Sequence, residues 1–126
     1  MSERIFLAVA GLSGALSVAI DAIARHALAG DPYRADLAAT GARYGLVHAA
    51  ALVGIALLAG RAHGGFWVFV AGWLIVAGLV LFCGSLDFVA AGAPRALTVL
   101  APWGGTAFIL AWIAVFIAAL RPRPAA

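Results

Sequence analysis

The chain has 126 residues, of which 66% are hydrophobic and 10% are charged. A soluble domain is usually about 45–50% apolar and about 25% charged, and a water-soluble fold of this size could not bury so much apolar surface. The composition therefore excludes an ordinary soluble domain and predicts a single membrane domain whose first partner is the lipid bilayer. The net charge of +3 comes from scattered Arg residues. Because no basic patch is interleaved with aromatic side chains, we expect no nucleic-acid partner.

Four long runs with almost no charge follow one another along the chain. A transmembrane helix needs about 20 mostly apolar residues to cross the hydrocarbon core. The predicted spans are residues 5–24, 44–60, 64–86 and 102–120. Each run is continuously apolar, whereas the strands of a membrane barrel alternate apolar and polar side chains. We therefore predict an all-α fold, a four-helix transmembrane bundle formed by residues 1–126.

The segments around the first and last spans carry further local signals. The first span could alternatively be the core of a cleaved signal peptide, with Ala22-Ile23-Ala24 as the cleavage site, although its apolar run is long for one. In the connection that follows, Asp31 and Pro32 form a helix-start signal, so residues 31–39 could form a short interfacial helix. Pro102 suits the first turn of the fourth helix.

The Arg residues do not decide the orientation in the membrane, because each side receives the same number under the positive-inside rule. The side of the termini has Arg4, Arg61, Arg121 and Arg123, and the opposite side has Arg25, Arg34, Arg43 and Arg95. The free N-terminal amine and the short, acid-poor segments on the side of the termini favour both termini in the cytoplasm.

Most polar side chains of the spans fall on one side of the membrane. The end of the first antiparallel span, the start of the second and the end of the third share that side whichever way the chain inserts. The candidate residues for a polar or ligand-binding site are Asp21, His26, Tyr44, His48, Ser85 and Asp87. Paired carboxylates, a nucleophile with its base and metal-ligand spacings are all missing from the sequence. We therefore expect no catalytic residue, metal or cofactor, and no enzyme.

Two of these positions invite a specific interpretation. Asp21 precedes Arg25 by four residues, the favourable order for a helix ion pair at the membrane edge. His48 lies about one turn inside the second span, with Tyr44 on the same helix face. A structural hydrogen bond between helices is the favoured interpretation of His48. The alternative is a ligand or proton-handling site that His48 forms with His26 or Asp87.

Small residues recur on helix faces and predict close helix packing, either within the chain or between chains. The predicted packing glycines are Gly11, Gly14, Gly41, Gly45, Gly104 and Gly105.

Four segments in order resemble the motifs of domain-of-unknown-function family 423, whose relatives include the transmembrane-protein-256-like proteins. They are Gly11-x-x-Gly14 with His26; Thr40-Gly41-x-x-Tyr44-x-x-x-His48-Ala49; Phe82-x-Gly84-Ser85-Leu86; and Ala101-Pro102-x-Gly104-Gly105-x-Ala107-Phe108 with Trp112. The resemblance implies a small multi-span protein of the bacterial inner membrane, without a settled activity or cofactor. Asp87 departs from the family pattern, which is commonly apolar or aromatic at that position.

Three functions remain open from the sequence. The first is a non-catalytic accessory or scaffold subunit, as a homo-oligomer or with a partner in a membrane complex, because small residues are abundant and chemical groups are scarce. The second is a small transporter or channel for protons, ions or a small solute, which would use the one-sided polar layer. The third is an electron-transfer subunit that binds haem, through His26 and His48, or quinone.

Overall fold

The structure is a computed structural model that describes residues 1–61 and 65–122. Its four long helices are α1 (Ser2–His26), α2 (Pro32–Ala59), α3 (Phe66–Ala90) and α4 (Arg95–Leu120). Each helix is long and apolar enough to cross a membrane, and all regular elements within these two ranges are helical. The predicted all-α, four-helix transmembrane bundle is confirmed. Gly64, the first residue of the predicted third span, lies outside the described residues.

The second helix begins earlier than its membrane span. The Asp31 carboxylate accepts a hydrogen bond of 3.1 Å from the backbone N–H of Arg34, and Pro32 occupies the first turn. The predicted helix-start signal is therefore present. The predicted separate interfacial helix is wrong, because the same helix continues without a break to Ala59. The residues that join the two segments include no Pro, and Gly41 costs only about 1 kcal/mol inside a helix.

The third helix changes its winding in the middle. Phe66–Gly78 and Gly84–Ala90 are α-helical, and Leu79–Cys83 between them forms a π-helical turn. A π-turn inserts an extra residue into the helix and is frequent at functional sites. The insertion rotates the side chains that follow it, Ser85 and Asp87 among them. The hydrophobic pattern of the sequence did not predict this turn.

The fourth helix is anchored at its first turns. Arg95–Leu100 is a 3₁₀-helix that leads into the α-helix Ala101–Leu120, and Pro102 lies in the first turn of that α-helix, as expected. The Arg95 guanidinium lies 4.2 Å from the centre of the Tyr33 ring. This cation–π contact ties the start of α4 to the first turn of α2.

Two helical hairpins make up the bundle. α1 packs along α2 and α4 packs along α3, while α2 and α3 join the two pairs. The largest fully buried side chains are Phe6, Leu52 and Ile75. The Phe6 ring fills the space beside Gly72, where a Cβ would overlap the ring. Such close approach supplies packing energy in a membrane, where apolar burial alone does not drive helices together.

Most of the predicted packing glycines lie between helices. A Cβ at Gly41, Gly45 or Gly104 would collide with an atom of a neighbouring helix. A Cβ at Gly14 or Gly105 would make an ordinary contact, at 3.7 and 3.8 Å respectively. These five positions let neighbouring helices approach closely, as the small-residue stripes predict.

Gly11 differs from the other glycines. It is exposed, and nothing lies within 4 Å of the position that its Cβ would take. A packing role for Gly11 inside the chain is therefore wrong, because this side of α1 faces outward. Gly11 belongs to an exposed row that we name the α1 small-residue face, formed by Ala8, Gly11, Ala15, Ala19 and Ala22.

Candidate functional site

His48, like Ser85, is almost fully buried, more so than the other predicted site residues. Only 4% of its surface is exposed, on the side of α2 that meets α4. Its Nδ1 lies 2.7 Å from the carbonyl oxygen of Tyr44, one turn earlier on α2. Its Nε2 lies 3.2 Å from Nε1 of Trp112 on α4. Both ring nitrogens of His48 are therefore engaged inside the protein.

The two partners define the protonation state of the imidazole. A backbone carbonyl can only accept a hydrogen bond, so Nδ1 must carry the hydrogen that it donates to Tyr44. An indole N–H can only donate, so Nε2 must be the acceptor for Trp112. His48 is thus a neutral imidazole with its hydrogen on Nδ1. A proton on Nε2 would make this nitrogen a donor as well, so that it would face the N–H of Trp112 and the hydrogen bond between them would be lost.

Aromatic side chains surround the His48 ring. The ring of Phe108 stacks on it with a centroid distance of 3.6 Å and an interplanar angle of 15°. The Tyr44 ring lies nearly parallel to it at 6.2 Å. Phe108 and Trp112 are four residues apart on α4, so one helix face presents both the stacking ring and the N–H donor. We name Tyr44, His48, Phe108 and Trp112 the His48 cluster.

Sequence reasoning identified the α2 half of the His48 cluster but not the α4 half. Phe108 and Trp112 entered only as parts of a family motif. Phe108 and Trp112 are four residues apart and therefore share a face of α4, and Trp112 is the hydrogen-bond donor on that face. These two signals could have paired them with His48.

His26 does not join His48. It is exposed at the end of α1, and no hydrogen bond, ion pair or ring contact links it to His48 or Asp87 in the described part of the chain. Bis-His haem ligation would require Nε2 of His48 to leave Trp112. Across residues 1–61 and 65–122, no three His, Cys, Asp or Glu side chains group closely enough to hold a metal ion.

Asp21 and Ser85 each form a hydrogen bond with a residue of their own helix. Arg25 Nε donates to Asp21 Oδ2 at 3.0 Å, and the two side chains are 72% and 35% exposed, respectively. Such an exposed pair contributes less than about 1 kcal/mol. The buried Ser85 hydroxyl donates to the carbonyl of Phe82 at 2.9 Å, beside the π-turn. Both contacts stay within one helix and create no shared site.

Asp87 lies apart from the His48 cluster. Its Oδ1 is buried and has no hydrogen-bond partner in the described structure. This oxygen lies against Gly41 on α2, where any side chain would displace it. Asp87 also lines a cavity of about 400 Å³ between α1, α2 and the last turns of α3. An ionised carboxylate that is buried without a partner is strongly unfavourable, so this oxygen calls for a donor.

Arg34 lines the same cavity and was not among the predicted site residues. Its Nε donates to the carbonyl of Ala90 at 2.6 Å, which satisfies a carbonyl at the end of α3. The partners are 56 residues apart in sequence, so no local pattern could indicate the contact. The predicted polar layer thus divides into the His48 cluster, between α2 and α4, and the cavity that Arg34 and Asp87 share.

Comparison with known proteins assigns the chain to a family. The family described as "Protein of unknown function (DUF423)" matches residues 20–105. The UPF0382 membrane protein YwdK of Bacillus subtilis is 36% identical over 121 residues, which cover 94% of this chain and 98% of the relative. The UPF0382 inner membrane protein YgdD of Escherichia coli K12 is 29% identical over 123 residues, or 96% and 93% of the two chains.

No solved structure matches the chain. The matched range includes both Asp87 and His48, and the relatives are named as membrane proteins, which agrees with helices that can cross a membrane. The resemblance seen in the sequence motifs is confirmed, and the chain belongs to the DUF423 family of multi-pass membrane proteins.

Proposed function

We propose that this protein is a non-catalytic scaffold subunit of the bacterial inner membrane that assembles with further copies of itself through α1. One observation carries the proposal: the α1 small-residue face points away from the rest of the chain. At about 100° per residue, its five members fall within about 80° of the helix circumference. A flat face of this kind lets two helices approach closely enough for extensive van der Waals contact in lipid.

The packing of α1 supports this choice. A smaller fraction of α1 than of the other three helices is buried inside the chain. Gly11 belongs to the α1 small-residue face and has open space around it. A symmetric pair of α1 helices would place the same small residues opposite each other, which is the simplest closed arrangement for identical subunits.

The polar side chains support a role without catalysis. His48 engages both ring nitrogens, Ser85 bonds its own helix, and Asp21 pairs with Arg25. A general acid, base or nucleophile must reach a substrate atom with a proton or a lone pair. His48 uses its ring nitrogens to join α2 to α4, and Ser85 and Asp21 use their oxygens within their own helices.

Disulfide crosslinking in native membranes tests the proposal. The buried Cys83 is first replaced in a Cys83→Ala background, and a single cysteine is then introduced as Ala15→Cys on the α1 small-residue face. Gly54→Cys on α2 is the matched control, because Gly54 is also exposed with open space around it. We expect oxidation to yield a dimer with Ala15→Cys and none with Gly54→Cys.

Two results would contradict self-assembly. One is a strictly monomeric particle in mild detergent together with no crosslink from Ala15→Cys. The other is a crosslink only to a different protein, which would identify α1 as the surface for a partner subunit. Gly11→Leu should also reduce dimerisation, whereas Gly54→Leu should not.

We further propose that both termini lie in the cytoplasm. Four membrane-crossing helices put the two termini on the same side, and the acid-poor segments beside them favour the cytoplasmic side. A C-terminal fusion to an enzyme that is active only in the periplasm should be inactive, and the same fusion after the α1–α2 connection should be active. The reverse pattern would invert the topology.

A transporter for protons or small cations is the second candidate. The buried, unpartnered Oδ1 of Asp87 favours it, because intramembrane carboxylates commonly mark ion pathways. Liposome flux measurements provide the test. Flux through the wild-type protein that Asp87→Asn abolishes would support transport, and flux unchanged by Asp87→Asn or His48→Ala would remove these residues from the pathway.

A further inference from the structure

The cavity that Asp87 and Arg34 share is apolar along most of its length. Its walls include Leu16 and Ile23 from α1 and Phe88 from α3. These three side chains are 50%, 50% and 66% exposed, respectively, and they lie on helices that can cross a membrane. The cavity therefore opens toward the surrounding lipid and has the character of an acyl-chain site.

The polarity of the cavity changes with depth. Arg34 lies in the first turn of α2, and Asp87 lies three residues before the end of α3. Both are close to the membrane surface. Leu16 precedes the last residue of α1 by ten positions, which places it about 15 Å deeper along the helix. The charged end thus lies at headgroup depth and the apolar walls extend toward the bilayer centre, in the same sense as a phospholipid.

The two charged side chains each have capacity left for a ligand. Arg34 is fixed through Nε on the Ala90 carbonyl at 2.6 Å, and no contact in the described part of the chain uses its two outer nitrogens. Asp87 Oδ1 is enclosed against Gly41 without a donor, so a ligand in the cavity meets this carboxylate through its other oxygen, Oδ2. The ion pairs found within residues 1–61 and 65–122 lie elsewhere, at the N-terminus and between Asp21 and Arg25. The cavity therefore offers one site for an anion and one for a cationic donor.

We propose that this cavity binds one molecule of phosphatidylethanolamine. An acyl chain lies along Leu16 and Phe88, Arg34 binds the phosphate, and the primary ammonium donates a hydrogen bond to Asp87. Arginine matches phosphate in shape and charge, and an ammonium that bonds to Oδ2 balances a carboxylate charge that no ion pair within the described residues offsets. The site uses the α1 face that Leu16 and Ile23 form, which is distinct from the α1 small-residue face. The lipid site is thus independent of self-assembly.

Phosphatidylcholine with identical acyl chains is the matched probe, because its headgroup has the same charges but no N–H donor. Native mass spectrometry of the purified protein, titrated with each lipid in turn, measures the retained lipid. We expect the wild-type protein to retain phosphatidylethanolamine about tenfold better than phosphatidylcholine, as a hydrogen bond to a charged group would give. Equal retention of the two lipids would overturn the proposal.

Variants separate the two headgroup contacts. Asp87→Asn should abolish the preference between the two lipids, and Arg34→Gln should weaken both alike, because both headgroups contain the phosphate. Asp21→Asn and Arg25→Gln are the controls, since they change an exposed pair on the same side of the membrane. A preference that survives Asp87→Asn, or one that is lost equally with Asp21→Asn, would overturn the assignment of the ammonium to Asp87.

A third variant keeps the test decisive if a charge substitution prevents folding. Ala91 lines the cavity but is exposed at the end of α3. Ala91→Leu should therefore fill the cavity without disturbing a buried contact. We expect it to reduce retention of both lipids, and undiminished retention would show that the lipids bind elsewhere.

Discussion

Trp112 donates its indole N–H to Nε2 of His48 at 3.2 Å, across 64 residues of sequence. This bond connects α4, which packs mainly along α3, to α2, which packs along α1 and α3. The Tyr44 carbonyl binds the opposite nitrogen of the same ring at 2.7 Å. The two hydrogen bonds fix the orientation of the His48 ring, which links two membrane helices. The contribution of this link to the stability of the protein can be measured.

Trp112→Phe should destabilise the protein. The substitution keeps an aromatic ring but leaves Nε2 of a buried imidazole without a donor, which costs about 1–3 kcal/mol. Thermal unfolding in detergent should show a lower melting temperature. Trp103→Phe is the control, because Trp103 is 69% exposed. Equal shifts for the two variants would mean that the Trp112 hydrogen bond contributes nothing.

A double-mutant cycle should show coupling between His48 and Trp112. His48→Phe keeps a ring to stack on Phe108 but leaves the Trp112 N–H unpaired. The double variant with Trp112→Phe removes both partners and should cost less than the sum of the single substitutions by at least about 0.5 kcal/mol. Reversible unfolding of the four proteins in mixed detergent micelles gives the values, and strict additivity would argue against the bond.

Adjacent glycines on α4 should respond differently to an added methyl group. A Cβ at Gly104 would overlap the backbone of Phe82 at the π-turn, whereas a Cβ at Gly105 would lie 3.8 Å from the Phe82 ring. Overpacking of this kind costs about 1–3 kcal/mol, so Gly104→Ala should be clearly destabilised. Gly105→Ala should be neutral or slightly stabilised, since Ala favours a helix more than Gly does. Comparable melting temperatures would contradict the close approach of α4 to Phe82.

Asp87→Asn should raise the melting temperature in detergent that contains no phosphatidylethanolamine. The amide fills the same space without the buried, unpartnered charge, which is unfavourable in the wild-type protein. Asp21→Asn should change the melting temperature little, because its ion pair with Arg25 is exposed to solvent. Added phosphatidylethanolamine should then stabilise the wild-type protein more than Asp87→Asn. A lower melting temperature for Asp87→Asn would indicate that Asp87 has a stabilising partner.

Local chemistry made several features of this fold predictable. Continuous apolar runs must become helices in lipid, because the backbone can satisfy its hydrogen bonds there only within itself. Asp31 and Pro32 marked the start of α2 because capping depends on residues within one turn. The extension of that helix into the second span was missed, since the polar residues between them suggested a separate element.

The sequence predicted the side of the membrane toward which the candidate site residues lie, but it did not predict their contacts. The antiparallel order of the spans alone put His48 and Asp87 toward one side of the membrane. Their partners depend on how the helices rotate about their axes, and the π-turn at Leu79–Cys83 changes that rotation halfway along α3. Sequence spacing on a single helix shows which side chains share a face, but it does not show which neighbouring helix that face meets.

The sequence alone determined that lipid surrounds the chain, how many helices cross the membrane and which family the chain belongs to. Each of these depends on the apolar content of the chain or on local motifs. Only the tertiary structure paired Trp112 with His48, brought Arg34 to the end of α3 and left Asp87 Oδ1 without a donor. These contacts join helices that are far apart in sequence, and close packing against small residues decides which side chains meet.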